Sequence, residues 1–249
     1  MRRLLREIRN CPSPFLFLDY DGTLAPIRSD PAKVRIPPSR KDILMKLARR
    51  FPAAIVSGRS LKDLRAQVGL PGIAYAGNHG LEVRRGQTLW IHPEAKKAMP
   101  VLKKTLREAE RRLKHIPGVC VDDKGLSASV HFRRAHVGDI PEIRRILRSL
   151  VPAAPGRLMM TRGKKVFEIR PAVDWDKGQS VLCLSNLIDP AGEATPVYIG
   201  DDRTDEDAFR ALVGRGLTVH VGKSRRTAAR YRLLDVNAVW RFLRALLLI

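Results

Sequence analysis

The sequence predicts an α/β protein with a parallel sheet at its centre and a second, smaller α/β module inserted into it. Three observations lead there. Short apolar runs at 15–18, 53–56, 72–76, 197–200 and 217–221 alternate with stretches of helical periodicity, the rhythm of strand and crossover helix. Several of these runs empty directly into polar loops rich in Asp, Ser and Gly, as parallel strands do where a sheet carries a site at its carboxyl edge. Between residues 95 and 171 the texture shifts to half-buried strands and strongly basic helix patterns, then reverts. The expected division is therefore a core of 1–94 and 172–249 around a module of 95–171.

Taken in order, the run FLFL at 15–18 reads as a strand buried on both faces, followed without a linker by Asp19-Tyr20-Asp21-Gly22-Thr23. Two carboxylates two residues apart at such an end repel each other, which calls for a bound cation or a shared proton. An Asp-Gly turn alone would be an ordinary connection; the apolar run before it and the Thr after it argue for a site. Ser39 and Asp42 have capping-box spacing ahead of a helix whose buried stripe is Ile43, Leu44 and Leu47. The strand at 53–56 ends in Ser57-Gly58-Arg59-Ser60. Ser60 and Asp63 are again spaced as a cap, so Ser57 and the amides near Gly58 sit before a helix N-terminus, where anions are favoured. The next strand leads to Gly77-Asn78-His79-Gly80-Leu81-Glu82, a tight turn able to present Asn78, His79 and Glu82 together.

The inserted module opens with a long charged helix pattern at 94–115. Strand signals follow around Val119 to Gly125, including Asp122 and Lys124, and in the alternation Leu126, Ala128, Val130, Phe132 that ends at Arg133. Asp139 to Glu142 reads as a cap for a helix with Ile143, Ile146, Leu147 and Leu150 on one side. Strands at 157–160 and 166–170, joined by a turn at Gly163, complete it. Residues 95–171 hold 19 Lys or Arg against 7 acids, a surplus of 12 out of the chain's net +22. After the module, Lys177 stands at a helix start, where a cation opposes the helix dipole and needs repayment by an anion or by carboxylates. The strand at 197–200 then empties into Asp201-Asp202-Arg203-Thr204-Asp205-Glu206-Asp207. Five acids in seven residues exceed what helix capping by Thr204 and Asp207 needs, and hard oxygen ligands of this kind suit Mg²⁺.

Composition sets limits. A net charge of +22 and a pI near 10.9 suggest nucleic acid, but the basic residues lie in many small groups and aromatics are only 6%. No nucleic-acid motif is present, so no such partner is expected. A positive field would still attract an anionic small molecule. Three scattered cysteines suit reduced thiols and a cytoplasmic setting. Neither the charged N-terminal stretch nor the short apolar C-terminal run has the form of a signal peptide or membrane span.

Taken together, DYDGT, the Ser57 loop, Lys177 and GDDRTDED resemble the four motifs of the haloacid-dehalogenase superfamily, which implies a Rossmann-like parallel-sheet core with an inserted α/β cap. Within it, DYDGTLAPI, IVSGR, AGNHGLE, VDDKG with HFR, GKKVFEIRP with DKG, and YIGDDRTDEDAF resemble trehalose-6-phosphate phosphatases in order and spacing, over about residues 13–243. The resemblance implies Mg²⁺-dependent hydrolysis of trehalose 6-phosphate, with Asp19 as nucleophile forming an aspartyl-phosphate and Asp21 as general acid and base. Ser57 and Lys177 would hold the phosphoryl oxygens. Mg²⁺ would sit on Asp19, the backbone carbonyl of Asp21 and Asp201, with Asp202 and Asp205 in support. Substrate binding would fall to Gly58, Arg59, Asn78, His79 and Glu82 in the core, and to Asp122, Lys124, Arg133, Lys164 and Glu168 in the cap. Asp122 stands where many relatives have Glu. The alternative is a related capped phosphatase acting on sucrose phosphate, mannosyl-3-phosphoglycerate or glucosylglycerol phosphate. A monomer is expected.

Overall fold

In a computed structural model the described residues are 1–27, 34–151, 157–163, 165–224 and 226–249. In chain order the elements are α1 (Arg2–Asn10), β1 (Pro14–Asp19), α2 (Pro38–Arg50), β2 (Ala53–Val56), α3 (Leu61–Gln67), β3 (Ile73–Gly77), β4 (Glu82–Arg85) and β5 (Thr88–Ile91). They continue with α4 (Pro93–Leu113), β6 (Cys120–Asp123), β7 (Ala128–His131), α5 (Ile140–Leu150), β8 (Leu158–Gly163) and β9 (Val166–Pro171). The last are α6 (Lys177–Ile188), β10 (Thr195–Gly200), α7 (Asp205–Ala211), β11 (Leu217–Val221), β12 (Tyr231–Leu233) and α8 (Val236–Leu246). The chain forms two compact units, Met1–Trp90 with Trp175–Ile249, and Ile91–Asp174. These divisions fall a few residues outside those expected from the change of texture.

The first unit is built on an eight-stranded sheet in the order β12-β11-β10-β1-β2-β3-β4-β5. The six strands from β12 to β3 are parallel, and β4 runs antiparallel to β3. Strand order runs outward from β1 in both directions, so the point where it reverses lies between β1 and β10, the place where open α/β sheets bind ligands. β1 is covered on both faces. Leu16 and Leu18 join one apolar layer and Phe15 and Phe17 the other, each at most 1% exposed. Burial of side chains of this size stabilises by about 1.5–3 kcal/mol each, which pins the strand that delivers Asp19. The same alternation on β10 sends Val197 and Ile199 to the first layer and Tyr198 to the second.

The second unit is a four-stranded antiparallel sheet, β6-β7-β9-β8, packed on α4 and α5. Its apolar face (Ala128, Val130, Phe167, Ile169) meets the helices. The residues paired across the other face form a polar row, Asp122, Ser129, Glu168 and Thr161.

The helix caps expected at Ser39 and Asp139 are absent. α2 starts at Pro38 with Pro37 before it and no side-chain cap: a proline at the first helical position has a preset φ and no N–H to satisfy, so the helix begins ahead of Ser39, and the Pro37 carbonyl accepts from the amides of Arg40 and Lys41. Asp139 precedes α5 without capping it; a short 3-10 turn, Val137–Asp139, intervenes, and His136 Nδ1 accepts from the amide of Gly138 instead. The Ser60 cap is made, with the Asp63 amide donating to its Oγ at 3.0 Å. β4 and β5 were not anticipated. The three cysteines are unpaired, and no helix among the described residues is long and apolar enough to cross a membrane.

Candidate active site

The carboxyl edge of the sheet gathers the ends of β1, β2, β3 and β10, and with them the polar loops. Asp19, the last residue of β1, is 4% exposed. Burial pushes its carboxyl well above the usual range; Lys177 opposes this, and the carboxylates of Asp205, Asp201 and Asp202 add to it. The Lys177 ammonium donates to Asp19 Oδ1 at 2.8 Å and to Asp205 Oδ1 at 2.7 Å. Burial alone would depress the Lys177 pKa, but these two acids outweigh it and hold the ammonium charged well above its ordinary range. The cation at the start of α6 is thus repaid by carboxylates. In the same turn Asp176 caps the helix by accepting from the amide of Gln179.

Asp205 is fully buried and accepts four bonds. Lys177 Nζ and the Tyr198 hydroxyl, both at 2.7 Å, reach one oxygen; the amides of Asp201 (2.8 Å) and Asp202 (2.9 Å) reach the other. That fills the acceptor capacity of a carboxylate. Asp205 therefore shapes the loop and seats Lys177. Asp201 is pushed up to about 7, by burial first and then by Asp205 and Asp202; the Thr23 hydroxyl donates to it at 3.3 Å. Its carboxylate lies against the backbone of Gly22, where an added Cβ would meet Asp201 Oδ2 at 2.1 Å and φ is +88°. Asp202 Oδ1 accepts from the amide and hydroxyl of Thr204 and from the Asp205 amide, so Asp202, and not Thr204, closes the start of α7. Burial works against the Asp202 anion, but Lys177 and these bonds win and lower its pKa.

Carboxylate oxygens of Asp19, Asp201 and Asp205 lie within 4.8 Å of one another. The cluster fits a small hard cation. All three of its members are pushed up, by burial first and by neighbouring carboxylates, and with Asp205 saturated, Asp19 and Asp201 are the carboxylates suited to hold one.

Asp21 is held differently. Arg59 donates to its two oxygens from Nε (2.6 Å) and Nη2 (2.7 Å), and from Nη1 to Asp63 at 2.7 Å, with the guanidinium 5.0 Å from the Tyr20 ring centroid. Arg59, expected to bind substrate, is 8% exposed and orients Asp21. Ser57 is 2% exposed; its amide donates to Ala76, its Oγ accepts from the Arg59 amide at 3.2 Å, and its carbonyl accepts from the His79 amide. Asn78 and His79 both have positive φ, 50° and 57°, a strained pair costing about 1–3 kcal/mol each. Asn78 Nδ2 and the Leu61 amide donate to Glu82 Oε1 at 2.6 and 2.7 Å, which ties the turn to α3. The His79 imidazole packs on Gly58, where a Cβ would lie 2.6 Å from the ring. So Asn78 and Glu82 form the scaffold of this loop.

In the second unit, Glu168 accepts from Ser129 Oγ at 2.8 Å and from Lys124 Nζ at 3.4 Å. Asp122 and Arg133 are exposed, and Lys164 lies outside the described residues. Sequence reasoning missed Tyr198 and Ser129. Only Tyr198 left a signal, a lone hydroxyl in an aliphatic strand, which must find a buried partner.

The fold is similar to that of a haloacid dehalogenase-like hydrolase from Bacteroides thetaiotaomicron, with a TM-score of 0.66 at 17% identity, covering 94% of this chain and 99% of that one. The chain belongs to the trehalose-phosphatase family, whose model matches residues 17–237. It is 38% identical over 245 residues to trehalose-phosphate phosphatase B of Arabidopsis thaliana, covering 93% of this chain and 65% of that one. To the trehalose-phosphate phosphatase of Mycobacterium bovis (strain BCG / Pasteur 1173P2) it is 39% identical over 227 residues, covering 88% and 58%. The chain thus spans less than two thirds of these two relatives. Among solved structures, that of Aspergillus fumigatus trehalose-6-phosphate phosphatase (crystal form 3) matches with a TM-score of 0.68 at 28% identity, covering 99% of this chain and 96% of that one. A trehalose-6-phosphate phosphatase related protein matches with a TM-score of 0.83 at 24% identity, covering 94% and 97%, a likeness of fold.

Proposed function

We propose that this chain hydrolyses trehalose 6-phosphate to trehalose and phosphate, as a cytoplasmic monomer, with Mg²⁺ on Asp19, the backbone carbonyl of Asp21 and Asp201. The observation that carries the reading is the buried Asp19–Lys177–Asp205 bridge beside an Asp21 oriented by Arg59, in a chain of the trehalose-phosphatase family. An Asp19 oxygen attacks phosphorus, and the bond to the sugar oxygen breaks as Asp21 donates its proton to that leaving oxygen. Asp21 then takes a proton from the water that attacks the aspartyl-phosphate, which releases phosphate and regenerates Asp19. The Lys177 ammonium and the Ser57 hydroxyl hold the transferring oxygens, the electrostatic work that phosphoryl transfer chiefly needs. Bound Mg²⁺ would supply further neutralisation of carboxylate and phosphoryl charge. The unit Ile91–Asp174 serves as the specificity cap, reading the sugar with Asp122, Lys124, Arg133, Lys164 and Glu168. There Ser129 fixes Glu168, and the short Asp122 reaches one methylene less far than Glu.

The test is phosphate release from trehalose 6-phosphate beside sucrose 6-phosphate and glucose 6-phosphate, with and without Mg²⁺, with Asp19→Asn as the blank. Selective, chelator-sensitive release lost in the variant is expected. Equal release from all three esters would reject the substrate, and release undiminished in Asp19→Asn would reject the mechanism.

A further inference from the structure

The chain leaves its first unit after Trp90 and re-enters it at Trp175, and these two tryptophans pack with ring centroids 5.5 Å apart and planes inclined by 36°. They line an open surface cavity of about 570 Å³ in that unit, together with Gln179, Leu182, Cys183, Asn186 and Leu187 from one stripe of α6. No lining residue carries a charge, in a chain with 29% charged residues and a net +22. An ionic ligand would find no counter-charge here. Two indoles offer faces for the C–H side of a pyranose ring, and the exposed carboxamides of Gln179 and Asn186 each offer both a donor and an acceptor to hydroxyl groups. A cavity of this size lies within the range of about 300–1,000 Å³ typical of small-molecule sites.

We propose that this cavity binds a neutral saccharide, at a site separate from the Asp19 cluster but built on the helix that Lys177 begins. An aromatic wall with two amides and no charge suits a ligand that is apolar on its ring faces and polar around its rim. The proposal does not depend on which phosphate ester the chain hydrolyses. The chain has three tryptophans, and Trp240 is 4% exposed with its Nε1 donating to the Leu24 carbonyl, so a ligand-dependent change in intrinsic fluorescence reports on Trp90 and Trp175.

The experiment is a fluorescence titration of the full chain with trehalose, maltose and glucose, with the open-chain polyol sorbitol as control. Saturation-transfer NMR of each sugar provides a second readout. A saturable response to the ring sugars and none to sorbitol is expected. By NMR, Trp90→Ala and the exposed-face variant Asn186→Ala, each checked for folding by circular dichroism, should weaken binding about tenfold, the scale of one aromatic or hydrogen-bonding contact. A response that never saturates, or equal affinity in both folded variants, would overturn the proposal. Binding of 1-anilinonaphthalene-8-sulfonate without binding of any sugar would also overturn it and mark an apolar docking face.

Discussion

Lys177→Met removes a cation that touches both Asp19 and Asp205. The three residues are 2%, 4% and 0% exposed, so solvent does little to screen the bridge or to replace it. Breaking a buried pair from one side strands the partner charge and costs about 3–5 kcal/mol. At about 2–4 °C per kcal/mol for a chain of this length, the melting temperature should fall by about 6–20 °C. The loss has a definite pH dependence. Both acids already titrate above their ordinary value, by burial first, and Lys177 opposes that rise. Without the lysine their folded pKa values climb further. A carboxylate with a raised folded pKa contributes stability that is full below its unfolded value and lost as pH rises through the folded one, so the deficit of the variant should widen as pH rises above the ordinary carboxylate range. The assay is thermal and urea unfolding in chelator, with Lys177→Met/Asp205→Asn completing a double-mutant cycle that should return a coupling of about 0.5–3 kcal/mol. Phosphate release by Lys177→Met should fall about 10²–10³-fold. A melting shift under about 3 °C, or a deficit that does not change with pH, would refute the electrostatic account.

Arg59→Lys should lower kcat about 10–100-fold with little change in KM, because one ammonium cannot reproduce the fork on Asp21 and the bond to Asp63 together; steady-state kinetics decide it. Gly22→Ala places a Cβ into the Asp201 carboxylate at a φ of +88°. It should cost about 1–2 kcal/mol in backbone strain alone and abolish Mg²⁺-dependent turnover while circular dichroism stays native. Glu82 is pushed up by burial, with the Leu61 amide and Asn78 opposing. Its folded pKa lies above its ordinary value, so its contribution is full at low pH and lost as pH rises, and Glu82→Gln should gain stability relative to the parent from about pH 4 to about pH 8. Melting curves across that range that show the reverse trend would contradict the reading.

What could be read from the sequence was what is local. The double-faced burial of 15–18 and the surplus of acids after Gly200 are contiguous patterns, and the unfavourable position of Lys177 at a helix start already implied a nearby anion or carboxylates. What could not be read depends on pairing across distance. Arg59 meets Asp21 only because β1 and β2 are neighbours in register, Asp19 opposite Val56, a pairing that gives Arg59 a carboxylate to orient. Ser129 reaches Glu168 through the pairing of β7 with β9. β4 and β5 leave no strand signal in the sequence, because their partly exposed residues form neither a continuous apolar run nor a clean alternation.

The discontinuity of the first unit bears on how the chain is made. Synthesis delivers β1 and β2 early, but the other neighbour of β1, β10, begins at Thr195, after the whole contiguous segment Ile91–Asp174. Until then a nascent chain carries a central strand with an open edge and the apolar side chains Phe15 to Leu18 incompletely covered, the kind of surface that recruits wrong partners. The second unit meanwhile has all four of its strands and both helices. Asp19 leaves the ribosome long before Lys177 and Asp201 do, so a stalled or truncated product ending short of Lys177 holds the proposed nucleophile without the ammonium that pairs with it. Such fragments should be inactive and sticky, and the chemistry should switch on only as the last third of the chain is released.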